Sequence, residues 1–221
     1  MSNFKEKYFS NRLDGFPKDN RRYQYGLREI QTLKILQKVS GLSIIKNGFV
    51  AADIGCGDRF LEKPISDEGM HYIGFDIQDL NLEKDPFKIN DNTLDVILNY
   101  SVIEHLSDPS NFLQESYRCL KPGGVIVIET PNWKKSYRNF FDDYTHIKPY
   151  TPESLSRILL DFGYAQIIDF PNLRCKSDWA YTNKYKYDLA SMRPFKGSVP
   201  DWVPEVLKGK SLGMYAVAMK A

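Results

Sequence analysis

The stretch Phe49 to Phe60, FVAADIGCGDRF, sets the terms for the rest of the chain when read with Tyr72 to Ile77, YIGFDI. An apolar run closes on Asp53, the turn Gly55-Cys56-Gly57 follows, and a second apolar run closes on Asp76. Two apolar runs, the first opening into a tight glycine turn and the second following after a crossover length of chain, predict parallel strands of an α/β arrangement. Glycine supplies positive φ or close backbone approach there, and a carboxylate ending the next strand is placed to accept hydrogen bonds from a ribose diol. By itself a GxG turn is also an ordinary strand-to-helix connection, so its surroundings decide its meaning.

Those surroundings are ordered. Asp95 to Tyr100, DVILNY, reads as a third apolar strand and leads into Ser101-Val102-Ile103-Glu104-His105-Leu106. A helix from about Asp108 to Leu120 follows, with Asp108 as N-cap and Pro109 at the first helical position. Next come the turn Lys121-Pro122-Gly123-Gly124 and the strand VIVIE from Val125. The succession DIGCG, GFD, LDVI with SVIEHL, and LKPGG with IVIETPN resembles the class I S-adenosylmethionine-dependent methyltransferases over about Val50 to Gly163.

That resemblance implies a Rossmann-like, doubly wound α/β fold. It has a mostly parallel seven-stranded sheet, an antiparallel last strand and helices on both faces. It also implies S-adenosylmethionine as cofactor. Asp53, Gly55, Cys56 and Gly57 would surround its methionine portion, Asp76 its ribose, and Ile77 its adenine. Asn81 and Leu82 would stand near the adenine amino group, with Asp79 as a rival to Asn81. Asn99, Tyr100 and Ser101 would line the cofactor beyond the following strand. The third glycine of the family pattern is absent, since Arg59 takes its place.

Methyl transfer from a sulfonium requires mainly alignment and exclusion of water, but a hydroxyl acceptor also needs a base. The chain has three histidines. His71 begins the second strand, away from the ligand edge, whereas His105 and His146 follow strands on it. Asp143-Tyr144-Thr145-His146 with Lys148-Pro149-Tyr150-Thr151 resembles a DxTHxxxFT run of sugar and small-molecule methyltransferases. On that resemblance His146, with His105 and Glu104, forms the catalytic set. Glu104-His105 also resembles part of an ExxEH metal motif of small-RNA-terminus and ubiquinone-pathway O-methyltransferases, with Ser101 replacing its first glutamate. The expectation adopted is that no metal is required. The alternative is a divalent ion on Glu104, His105 and His146, and the plainest reading is that these residues cap and pin their loops.

The remaining expectations come from the residues. With 30 basic and 28 acidic side chains, the net charge of +2 points to a small-molecule substrate rather than nucleic acid. No apolar stretch nears the ~18 residues of a membrane span, so no membrane partner is expected. Cys56, Cys119 and Cys175 lack CxxC spacing, which suits a reducing cytoplasm. One domain over residues 1–221 is the prior at this length. Residues 1–25 read as an irregular arm in which Arg21-Arg22 either meets an anionic substrate or is a solvated pair.

Apolar residues at helical spacing from Leu27 to Val39 predict a helix, and Thr151-Pro152-Glu153 opens another that Gly163 ends. Pro64 and the polar run from Ser66 leave room only for a short helix after the glycine turn. Pro86 and Asn90-Asp91-Asn92-Thr93 argue for a loop, or at most a short strand, between Asp76 and Asp95.

Strands are expected at Tyr164 to Phe170 and Gly213 to Met219. Between them, residues 171–212 carry six aromatics, including Trp179, Tyr185 and Trp202. That insertion fits a substrate wall, a homodimer contact or simple burial over the domain. The expected function is O-methylation of a sugar, nucleotide-sugar or related small polar metabolite. N- or C-methylation and a non-catalytic cofactor-binding subunit are the alternatives, and a nicotinamide dehydrogenase is disfavoured by the short glycine pattern.

Overall fold

A computed structural model describes residues 20–173, 178–195, 202, 204 and 211–221. Most of the N-terminal arm and much of the 171–212 insertion, including Cys175, lie outside the described residues. Among the described residues six strands form one sheet: β1 Val50–Ile54, β2 His71–Phe75, β3 Leu94–Tyr100, β4 Leu120–Pro131, β5 Tyr164–Asn172 and β6 Gly213–Lys220. Their order is β2-β1-β3-β4-β6-β5. Pairings β1–β2, β1–β3 and β3–β4 are parallel, and β6 runs antiparallel to both its neighbours.

Side-chain alternation explains why this sheet needs helices on both faces. Val96, Leu98, Val125, Val127 and Val217 face one core, while Ile97, Ile126, Ile128, Ala216 and Ala218 face the other. Strands buried on both sides read as continuous apolar runs, as VIVIE does. The first core is closed by Ile30, Leu33 and Leu36 of helix α1, Asn20–Ser40, and Ile65 of the short helix α2, Glu62–Asp67. The second is closed by Phe112 and Leu113 of α3, Ser110–Cys119. After α4, Trp133–Ser136, helix α5, Pro152–Asp161, adds Leu155 and Leu159 to it.

The capping expectations are met with one shift. Thr151 and Ser154 form a reciprocal capping box, with Pro152 in the first turn of α5. Asp108 accepts from Ser110 N at 3.0 Å, although α3 begins only at Ser110, with Pro109 in the capping position. The predicted helix at Leu27 extends back to Asn20, so the last residues of the expected irregular arm are helical.

Among the described residues the sheet has six strands where seven were expected, within the same doubly wound fold. Between β2 and β3 the chain forms turns, and the backbone oxygens a strand would offer a neighbour are taken by a side chain. The Arg118 guanidinium donates to Phe87 O at 3.1 Å and Ile89 O at 3.0 Å, and it pairs with Glu115 and Asp91. The carbonyls of this segment are thus satisfied by a helix side chain rather than by a neighbouring strand.

Part of the aromatic insertion turns inward. On helix α6, Lys184–Ser191, Tyr187 is buried against Phe170, and buried Tyr181 packs edge-on against Tyr187. The Tyr181 and Tyr187 hydroxyls donate to Leu173 O at 2.6 Å and Pro171 O at 2.9 Å, respectively. Trp179, Tyr185 and Trp202 remain exposed.

Candidate active site

Parallel strands β1, β3 and β4 end on the same edge, and that edge gathers the polar residues of the apolar runs. Gly55 takes φ +85°, and a Cβ there would lie 2.2 Å from Val102 Cγ2, so only glycine fits. Gly57 is also in the left-handed region. The Gly55 and Cys56 amides donate to Phe75 O at 2.7 and 3.0 Å, which ties the turn to the end of β2. Arg59, at φ +55°, keeps its side chain at the surface near Gly74 O, 3.3 Å away, and Glu62. Arg22 of α1 is paired with Asp58 and stacks over Phe60, so it closes the turn from above.

Asp53 is buried and accepts a hydrogen bond from Tyr72 Oη at 2.9 Å. Burial pushes its carboxyl up to about 7, against the opposing pull of that hydrogen bond. Burial likewise raises the Cys56 thiol to about 12, which makes it an inert small filler.

Asp76 accepts from Ile77 N at 2.8 Å, and its pKa is raised, mainly by burial. Beside it stands Asp79, which accepts from Asp76 N at 3.0 Å. Asn81, by contrast, is exposed and its side chain caps the Glu83 amide at 3.0 Å. Leu82 packs against the second core.

Asn99 is buried and donates to Ile54 O at 2.8 Å, binding β3 to β1 at the ligand edge. The Tyr100 ring lies between Phe60 and Tyr215, and its buried hydroxyl has no hydrogen-bond partner among the described residues. Ser101, at φ +53°, donates to Glu129 Oε2 at 2.7 Å. Asp79 was the named rival to Asn81, whereas no role was read from the sequence for Tyr72 or Glu129. Glu129 carried a signal, being a carboxylate at the ligand end of an otherwise apolar strand.

The second group assembles around Glu104. Its backbone oxygen accepts from Ile147 N and Lys148 N at 2.9 and 3.0 Å, so the 140s loop docks onto the turn after β3. Thr130 Oγ1 donates to Glu104 Oε2 at 2.9 Å. His146 Nδ1 lies 2.6 Å from Phe140 O, and His105 Nδ1 lies 3.1 Å from Thr145 O. A carbonyl only accepts, and the Thr145 hydroxyl beside His105 Nδ1 donates to Asp143, so each Nδ1 carries a hydrogen and, in the neutral imidazole, each Nε2 presents a lone pair. His146 Nε2 stands 4.0 Å from both Glu104 Oε1 and Asp143 Oδ2, and the two imidazole rings are 4.7 Å apart. One ligand-capable atom from each of Glu104, His105 and His146 falls within 4.8 Å of the others. His71 is exposed at the opposite edge of the sheet.

A family model described as a methyltransferase domain matches residues 42–169, a span that holds both groups. The chain belongs to the class I S-adenosylmethionine-dependent methyltransferases. A Mycolicibacterium smegmatis relative of this methyltransferase, named as S-adenosylmethionine-dependent, is 27% identical over 137 residues, 54% of this chain and 49% of its own. A ubiquinone biosynthesis O-methyltransferase of Pelagibacter ubique is 33% identical over 98 residues, 36% of this chain and 41% of its own. The chain thus spans about half the length, or less, of the curated relatives it matches. A solved S-adenosylmethionine-dependent methyltransferase from Archaeoglobus fulgidus shares the fold, with a TM-score of 0.58 and 23% identity over 87% of this chain and 94% of that one. No helix among the described residues of the methyltransferase is long and apolar enough to cross a membrane.

Proposed function

We propose that this methyltransferase transfers the methyl group of S-adenosylmethionine to a hydroxyl of a small polar acceptor, a sugar, nucleotide-sugar or related metabolite, with His146 as base. The observation that carries the reading is the fixed tautomer of His146, whose Nε2 is left as an acceptor next to two carboxylates. In the transfer, the acceptor oxygen forms a bond to the methyl carbon as the carbon–sulfur bond breaks. The hydroxyl proton passes to His146 Nε2, leaving a methyl ether and S-adenosylhomocysteine. Glu104 and Asp143 stabilise the imidazolium formed, and alignment supplies most of the remaining rate. The name of the Pelagibacter relative supports oxygen as the acceptor atom.

Asp53, Gly55 and Gly57 hold the methionine end in this reading, and Asp76 holds the ribose. Asp76→Ala is expected to weaken cofactor binding by roughly 10- to 100-fold, the cost of about 1.5–3 kcal/mol for a charged hydrogen-bond partner. Calorimetric titration with S-adenosylhomocysteine measures it, and unchanged affinity would remove Asp76 from the site.

A second reading rests on the cluster geometry. Two imidazole nitrogens and a carboxylate, with both Nδ1–H groups fixed on carbonyls, fit a divalent transition metal. Bound there, such an ion would orient an acceptor hydroxyl and ease its ionisation. The primary reading predicts that EDTA leaves turnover within about twofold. Loss of turnover that added Mn2+ or Zn2+ restores would carry the second reading instead.

A further inference from the structure

The Asp53 carboxylate is not held by the glycine turn alone. In the β1–β2 ladder Asp53 lies directly opposite Gly74. Tyr72 is two residues earlier in β2 and therefore on the same face as Gly74. Its ring runs forward over residue 74 and brings the hydroxyl to Asp53 Oδ2. A Cβ at residue 74 would lie 2.9 Å from Tyr72 Oη and 3.0 Å from both Tyr72 Cε1 and Cys56 Sγ. The glycine of YIGFD is therefore a slot for this tyrosine, and Cys56 forms the other wall of the slot.

We infer that Tyr72 is a positioning residue that aims the Asp53 carboxylate at the amino group of the cofactor, and that this pair makes cofactor capture release a proton. The inference rests on the reading of Asp53 as the site of that amino group. The charge balance around Asp53 explains the proton. The groups facing it are Tyr72 on β2, Cys56, Asp58 and Arg59 in the turn, Asp76 beyond β2, and Tyr100 on β3. Arg59 is the one cation among them, and its side chain is half exposed.

A buried carboxylate in acidic company holds its proton near neutral pH, while the Tyr72 hydroxyl favours ionisation. When a cofactor ammonium enters, the charge pair replaces the proton, which leaves to solvent. Below neutral pH each binding event therefore frees close to one proton. Well above it the carboxylate is already ionised and none is freed.

The test is calorimetry with S-adenosylhomocysteine in buffers of different ionisation enthalpy, from pH 6 to pH 9. The wild-type protein is expected to release between half and one proton per ligand at pH 6, falling to near zero at pH 9. Tyr72→Phe keeps the ring and removes the donor. Its release curve should move to higher pH, with affinity reduced several-fold at pH 7 and recovering towards pH 9. A role confined to packing would leave the curve in place. Binding by the wild-type protein with no proton released anywhere in this range would overturn the inference alone, as would a Tyr72→Phe curve superimposed on the wild type. If the wild-type protein does not bind S-adenosylhomocysteine, the cofactor reading falls as well. Should Tyr72→Phe not fold, the wild-type proton count still decides.

Discussion

Asp53→Asn is expected to give a more stable protein that no longer captures its cofactor. The native carboxyl titrates at about 7, against about 4 for an unfolded aspartate. Between those two values the native state binds more protons than the unfolded chain, so stability falls as pH rises through the window and stays low above it. At about 1.4 kcal/mol per pH unit, the cost above neutrality is on the order of 4 kcal/mol.

Asparagine removes the charge and can still accept from Tyr72. Denaturant midpoints should therefore rise by the equivalent of a few kcal/mol at pH 8 and hardly at all at pH 4. S-adenosylhomocysteine affinity should drop roughly 30-fold or more, the loss of about 2–3 kcal/mol from an unpaired ammonium. Equal midpoints for variant and wild type at pH 8 would show that the buried charge carries no such cost.

His146→Ala should have the largest effect on turnover. A positioned base contributes typically about 10²–10⁴-fold, and this histidine is oriented by Phe140 O, with Glu104 and Asp143 each 4.0 Å from its Nε2. Cofactor affinity should stay within about twofold, because His146 belongs to a group separate from Asp53 and Asp76. Radiolabelled transfer to acceptors found by screening sugars and related metabolites gives the rate. Full activity in the variant would end the assignment of His146 as base.

What could be read from the sequence was local. The glycine turn, the carboxylates closing β1 and β2, and the Thr151 cap depend on residues within a few positions of one another, and each took its expected form. The absence of a strand between β2 and β3 was foreshadowed by Pro86 and the polar run after it. The device that replaces the strand was not visible, because Arg118 lies on a helix distant in sequence from the carbonyls it binds.

Tyr72 was hidden for a similar reason. Its role follows from the register that sets Asp53 opposite Gly74, and no single window of sequence contains that alignment. His105 and His146 were each expected at the ligand edge. Their tautomers depend on which backbone oxygens the 140s loop presents, and that is decided by its docking on Glu104.

The position of β6 has a consequence for how the chain is made. Among the described residues β5 reaches the rest of the sheet only through β6, which lies between it and β4. During synthesis β4 and β5 therefore emerge with facing edges bare, and they stay so until Gly213–Lys220 has left the ribosome. Unpaired strand edges in a waiting intermediate invite wrong partners. That edge of β4 is closed only once β6 has been made, long after the glycine turn and both carboxylates of the site have emerged.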